Sequence, residues 1–325
     1  MTSRLLSEAT LALTMTLALA VPVAAAQAQT APTQLPPVPV DTTGGIQWPL
    51  SSSTPSDDAL AAKRLSTSDT AALLNDLPGM SSATGGGVSS LPVVHGMADD
   101  RNKIVVDGMS ITSSCPNHMN PAMSYIDPST VAKASVVAGL TPVSQGGDSI
   151  GGTVAVDSAP PVFAAPGENL HTVGSLSAFF RSNNNDVGGS ADISVANGNF
   201  SLDYTGSGDR ARNYHDGNGQ IIVGSGHDTT NHAATLAARN DTTLVAIKGG
   251  EQFTPFEGFP NQYMDLTGNR AYFFNARLQG DYGWGSLDAR VYWLSTLHAM
   301  NNPDDKSAVM PMPMFTDGTD VGYSV

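Results

Sequence analysis

The second half of the chain is a series of alternating stretches. Apolar and polar positions exchange places over 171–181, 188–196, 200–206, 233–239, 242–248, 270–279 and 286–297, and each stretch reads as a β-strand. Tight turns at 197–199, 240–241 and 280–285 join three neighbouring pairs, and Asn197-Gly198 is a strong hairpin signal. The links between these hairpins, 207–232 and 249–269, are long. The first half reads differently. Residues 57–74 have helical spacing, with Leu60, Leu65, Leu73 and Leu74 as apolar points, and Pro78-Gly79 ends that segment. Ile104-Val105-Val106 is a short buried strand and Asp107-Gly108 a turn. Asp127-Pro128 opens a segment to Ala138, and 149–156 closes this half as a strand.

Short turns alternating with long loops are the pattern of an outer-membrane barrel, whose turns face the periplasm and whose loops face outward. Tyr272, Phe273, Tyr282, Trp284, Tyr292 and Trp293 fall near strand ends, where such barrels carry aromatic girdles. A soluble β-sandwich or a secreted β-solenoid would share the Gly, Asn and Thr content, but the short-long alternation favours the barrel.

The N-terminus fits an exported protein. Arg4 followed by the apolar run 9–23 reads as a secretory signal, residues 1–28, with Ala24-Ala25-Ala26 or Ala26-Gln27-Ala28 suited to cleavage. The run is too short for a comfortable bilayer-spanning helix. Residues 29–56, rich in Pro, Thr and Ser, read as a flexible segment. Only 14% of the residues are charged and the formal net charge is −14, which argues against nucleic-acid binding, because phosphate contacts need clustered Lys and Arg. The run Gly85-Gly86-Gly87 lacks the Gly-Lys-Ser/Thr of a phosphate loop and reads as a flexible loop.

Candidate chemistry centres on Cys115, the single cysteine. It cannot form an internal disulfide, and a leftover cysteine in an exported protein asks for a role. His118, Met119 and Met123 follow closely. Thioether, thiolate and imidazole donors favour Cu(I) over hard cations. On a helix Cys115 and Met119 would share a face and grip one ion together. A half-buried thiol beside core methionines is the plainer alternative. An enzyme is the weakest reading: no Ser-His-Asp set or carboxylate pair stands out, and Asp99-Asp100 is more simply a solvated turn.

Four further motifs, in order, carry a resemblance. They are Leu74-Asn75-Asp76-Leu77-Pro78-Gly79-Met80, Val105-Val106-Asp107-Gly108, Val137-Ala138-Gly139-Leu140, and Gly146-Gly147-Asp148-Ser149-Ile150-Gly151-Gly152-Thr153-Val154. Their identity and spacing resemble the plug domain of TonB-dependent outer-membrane receptors. The resemblance implies an α+β plug over 57–160, then the N-terminal part of a transmembrane antiparallel β-barrel over 161–325. It implies a Gram-negative outer-membrane location, contact with outer-membrane lipid, and TonB, the periplasmic energy-coupling protein, as partner. Leu35-Pro36-Pro37-Val38-Pro39-Val40-Asp41 is the nearest candidate for the segment that would meet it. Seven strands are fewer than the 22 such barrels carry, so the chain is expected to be a fragment or truncated product that does not transport by itself.

Within that family, Cys115 and Met119 on the plug look like the copper-receptor branch, which pairs them with a His-x-Met on the barrel. His298-Ala299-Met300 matches, just past the seventh expected strand. If the first strand leaves the plug from the periplasm, odd-numbered strands run outward, so His298 and Met300 emerge on the outer side. Residues i and i+2 of a strand point the same way. The implied metal set is Cys115, Met119, His298 and Met300, with a copper ion as bound substrate. Met310, Met312 and Met314 are candidate feeding sites, and Met123, His118 and the His95-Gly96-Met97 pair rank second. The rival readings are a receptor for an iron-siderophore or other metal chelate, and a secreted β-rich binding protein without transport.

Overall fold

The computed structural model describes residues 52–145, 147–302, 306 and 310–325. The expected signal segment, most of the expected flexible segment and the candidate TonB-contacting stretch lie outside the described residues. The flexible reading of 29–56 needs one correction: β1 (Ser52–Ser53) already pairs antiparallel with β6 (Val131–Ala138).

A small mixed unit comes first. Helix α1 (Asp57–Ser66) starts at Ser56, whose side chain accepts the Ala59 N–H, and carries Asp57 and Asp58 in its first turn and Lys63 and Arg64 in its last. Cap and charges both suit the helix dipole. β2 (Met80–Thr84) and β3 (Ser90–Val94) form a hairpin, followed by β4 (Asn102–Val106) and β5 (Met109–Ser110). With β6 and β7 (Gly152–Ser158) these build a five-stranded sheet in the order β1-β6-β7-β4-β5, in which β4 and β7 run parallel. Its core holds Leu60, Leu73, Leu74, Val94, Val131 and Val154.

The remainder is one antiparallel wall of eight sequential strands: β8 (His171–Arg181), β9 (Asp186–Ala196), β10 (Phe200–Ala211), β11 (His227–Arg239), β12 (Thr243–Glu257), β13 (Asp265–Tyr282), β14 (Gly285–Asn301) and β15 (Met314–Ser324). Seven strands were expected and eight are present. The strands are also longer than the apolar alternation suggests. β12 runs on through Gly249, Gly250, Glu251 and Gln252, and β13 begins at Asp265. The buried side chains of these extensions include the polar Gln252, Thr254 and Asn269, so hydrophobic periodicity does not reveal them.

The wall presents its apolar side outward. On β14, Val291, Trp293 and Leu297 are exposed, while Leu294, Thr296, His298 and Met300, at alternate positions, are buried. Leu176, Ile193, Leu202, Leu236 and Phe274 are likewise exposed on their strands. An apolar outer face over a polar inner one is how a barrel meets lipid. Among the described residues no helix is long and apolar enough to cross a membrane. The girdle reading is only partly right. Tyr282 and Trp284 stack at the β13–β14 turn and Tyr272 and Trp293 look outward, but Phe273 and Tyr292 pack inward against the core of the first unit.

Gly85-Gly86-Gly87, between β2 and β3, is not an open loop. A Cβ on Gly86 would lie 2.2 Å from Glu257 Oε1, and one on Gly87 2.4 Å from His227 Nδ1. The run is glycine because backbone meets wall side chains there. The Val88 N–H donates to Glu257 Oε1 at 3.0 Å, and the Ser89 hydroxyl donates to the other oxygen.

Candidate metal centre

Cys115 sits in a turn, not on a helix. The His118 N–H donates to the Cys115 carbonyl at 3.0 Å, and the Ser113 hydroxyl accepts the Cys115 N–H at 3.2 Å. Pro116 and Asn117 make the turn, as their residue types favour. The expected i,i+4 helical pairing of Cys115 with Met119 is therefore corrected: the two are brought together by a tight loop. The Tyr125 hydroxyl accepts the Ser114 N–H at 3.0 Å and anchors the loop to the core of its own unit. Burial raises the Tyr125 phenol above its ordinary pKa and so keeps it protonated. From the wall, the Thr316 hydroxyl donates to the Ser114 carbonyl at 2.7 Å, and Asp320 Oδ2 accepts the Thr112 N–H at 2.9 Å. Both holds come from β15, the strand absent from the sequence reading.

Cys115 is fully buried, and its Sγ lies 3.8 Å from Met300 Sδ. Phe259, Leu266 and Met300 form a buried cluster around it, against which Met119, Met264 and Met314 pack half-buried. Register explains the gathering. Met300 on β14 stands opposite Leu266 on β13 and Met314 on β15. His298 and Met300 lie inside β14, not beyond its end as expected, and both face inward two residues apart.

His298 is buried, with Nδ1 3.1 Å from Asn269 Oδ1 and no hydrogen-bond partner on Nε2. A relay of side chains fixes that arrangement. Asn269 Nδ2 donates to Gln252 Oε1 at 3.0 Å, Gln252 Nε2 donates to Thr254 Oγ1 at 2.5 Å, and the Thr254 hydroxyl donates to Thr229 at 3.2 Å. With its amide nitrogen engaged, Asn269 offers an oxygen to His298. Nδ1 then carries the proton, and Nε2 is left with a free lone pair.

The other candidates are distributed. Met310 and Met312 are exposed on the β14–β15 link, and Met314 reaches the sulfur cluster. Met123 does not belong with them; it is fully buried in the core of the first unit. The His118 ring lies 3.6 Å from the Asp100 carboxylate, and His95 and Met97 belong to the turn after β3. Sequence reasoning missed Gln252, Phe259, Met264, Leu266 and Asn269, all in the stretch 249–269 read as a loop; Gln252, Leu266 and Asn269 lie in unrecognised extensions of strands. A strand-length alternation that admits polar inward residues would have found Gln252 and Asn269.

Residues 49–153 match the TonB-dependent receptor plug domain family. Among solved structures the chain is similar to the copper transporter OprC, at 24% identity and TM-score 0.72 over 83% of this chain and 41% of that one. It is similar to the FrpB iron transporter from Neisseria meningitidis in its apoprotein form, at 19% identity and TM-score 0.64, covering 84% of this chain and 44% of that one. It is also similar to the siderophore receptor PirA from Acinetobacter baumannii, at 13% identity and TM-score 0.64, with the same coverage of 84% and 44%. No curated protein matches the chain. The chain spans less than half the length of these solved structures. Residues 49–153 thus match a receptor plug domain, and the chain as a whole, plug unit and eight-stranded wall, shares its fold with part of these solved structures.

Proposed function

We propose that the protein serves TonB-dependent uptake of copper across the outer membrane, and that Cu(I) is its bound substrate, held by Cys115 and Met119 of the plug and by His298 and Met300 of the wall. The observation that carries this reading is the 3.8 Å approach of Cys115 Sγ to Met300 Sδ in a buried cluster. Two sulfurs bound tetrahedrally to one ion at about 2.3 Å, the zinc–thiolate distance, stand about 3.8 Å apart. The unpartnered Nε2 of His298 supplies an imidazole donor with its lone pair free. A thiolate, thioethers and a neutral imidazole, with no carboxylate among them, suit a soft monovalent ion better than iron. The likeness to a structure titled copper transporter points the same way.

The division of ligands suggests how release would occur. Each half of the set rides on a separate unit, so displacement of the plug by TonB would take Cys115 and Met119 away from His298 and Met300. An ion left with two donors is held far more weakly, and passes inward. Coordination needs the thiolate, so loading displaces the cysteine proton.

The test is metal analysis of the protein purified in detergent after exposure to Cu(I). Wild type should retain about one copper per chain, and Cys115→Ala should retain almost none while keeping heat-modifiable migration. Equal copper in both would remove the site assignment. Binding of a ferric chelate by the copper-free protein would instead favour the iron-siderophore reading.

A further inference from the structure

A second cluster lies in the wall, apart from the sulfur residues. Asp186 opens β9, Asp209 lies in β10 and His227 opens β11. Asp209 stands opposite Gly188 on one side and Thr229 on the other, so Asp186 and His227 are each two residues off its level, on the long-loop side of the sheet. One donor atom from each of the three falls within 4.8 Å of the others. All three are more than nine-tenths buried, with exposures of 1%, 5% and 5%.

Their polar atoms are unsatisfied. Asp186 Oδ1, both carboxylate oxygens of Asp209 and both ring nitrogens of His227 have no hydrogen-bond partner. His227 Nε2 lies 3.3 Å from Asp209 Oδ2 without hydrogen-bond geometry. More than nine in ten buried polar groups in proteins are bonded, so five orphan atoms on three adjacent side chains point to a missing partner. The charge balance indicates its sign. Arg181 Nη1 donates to Asp186 Oδ2 at 2.5 Å, but the other three carboxylate oxygens of the cluster have no hydrogen-bond donor, so the missing partner carries positive charge. An uncompensated buried carboxylate is costly unless it is paired or binds metal.

We propose that Asp186, Asp209 and His227 form a second metal site, for a divalent first-row cation. Two carboxylates and one imidazole suit Zn2+ or Mn2+, and lack the sulfur that favours Cu(I). The site is structural in position. Arg181 Nη1 also donates to plug residue Ser68 at 2.8 Å, and His227 abuts the plug backbone at Gly87. A cation there would lock three wall strands at the face on which the plug rests.

The experiment takes the full-length receptor purified from outer membranes, stripped with EDTA and dialysed against Zn2+. Wild type and Cys115→Ala should each retain one zinc, which separates this site from the copper reading. Asp209→Asn should lose it, with zinc affinity falling by about 100-fold or more. Equal zinc retention by Asp209→Asn, or none by wild type, overturns the proposal. If Asp209→Asn does not fold, anomalous scattering at the zinc edge from zinc-soaked wild-type crystals decides. A peak among the three side chains supports the site, and its absence overturns it.

Discussion

Asp107 of the plug and Lys248 of wall strand β12 form an ion pair of 2.6 Å, with both side chains largely buried. Asp107 sits at the turn between β4 and β5, at φ 49°. Its Oδ1 accepts the Ser158 N–H at 2.7 Å, and its carbonyl accepts from Asn275 at 2.8 Å and from Arg290. One plug turn is therefore tied to three consecutive wall strands. Removing one partner of a buried pair costs about 3–5 kcal/mol, because the other charge is stranded. Asp107→Ala should lower the unfolding temperature of the protein in detergent by several degrees. Lys248→Met added to it should recover part of the loss. Unchanged melting of the single variant would mean the pair contributes no stability.

The same pair makes plug docking acid-sensitive. Burial by itself would raise the Asp107 carboxyl, but Lys248 and the Ser158 donors outweigh it and hold the pKa below the ordinary value. For a depressed carboxylate, the stabilisation is complete above the unfolded pKa, about 3.9, and is lost as pH falls through the lower folded value. Wild type should thus lose melting temperature more steeply below pH 4 than Asp107→Asn does. Parallel curves for the two proteins would assign the acid sensitivity to other groups.

In the proposed copper site, Asn269 should matter without being a ligand. It faces His298 Nδ1 at 3.1 Å, and Gln252 fixes its amide. Loss of such an outer-shell partner typically costs about 10–100-fold in metal affinity. Asn269→Ala should keep one copper per chain but yield it to a competing Cu(I) chelator at a 10- to 100-fold lower chelator concentration. His298→Ala should show a larger loss. Wild-type competition by Asn269→Ala would mean that packing alone orients the imidazole.

Much of this was legible in the residues, for identifiable reasons. Outward faces such as Val291, Trp293 and Leu297 must be apolar to meet lipid, so the strands that carry them announce themselves. Cys115 and Met119 were joined to His298 and Met300 through a resemblance rather than through local pattern, and the structure packs Met119 and Met300 against Cys115. The inward face follows another rule. Gln252, Thr254 and Asn269 are polar because they face the plug and one another, and in a linear reading they pass for loop. β15 hid for a related reason. Its Phe315, Val321 and Tyr323 look outward, but Thr316, Gly318, Asp320 and Gly322 between them resemble a turn. Gly318 is small because a Cβ there would lie 2.1 Å from Ser114 Oγ. The turn at Cys115 was likewise hidden, since i,i+4 spacing alone cannot distinguish a helix from a loop folded back by Pro116.

The glycine run offers a clean test of plug–wall fit. A methyl group on Gly86 would meet Glu257 Oε1 at 2.2 Å and Phe259 Cε1 at 2.9 Å, both on fully buried side chains. Overpacking of this kind costs about 1–3 kcal/mol. Gly86→Ala should therefore melt below wild type. Gly217→Ala, where nothing lies within 4 Å of the new methyl, should melt with it. Because Phe259 also walls the sulfur cluster, Gly86→Ala should weaken copper retention as well. Indistinguishable melting of the two variants would show that the run tolerates side chains.

Met310, Met312 and Met314 occupy alternate positions leading from solvent to the buried sulfurs. The first two are exposed at 72% and 60%, while Met314 packs on the cluster opposite Met300. Exposed thioethers bind Cu(I) weakly and release it readily, which suits transfer rather than storage. Leucine keeps the apolar bulk of methionine and removes the sulfur. Met310→Leu with Met312→Leu should leave equilibrium copper affinity unchanged, because neither residue belongs to the buried set. It should slow loading several-fold at limiting Cu(I), measured by rapid mixing of the purified protein with a Cu(I) donor. Met314→Leu should do the reverse, altering affinity more than rate, because its side chain packs on the buried sulfur cluster. Identical loading rates for wild type and the double variant would reduce Met310 and Met312 to ordinary loop residues, and would place the entry route on another face of the site.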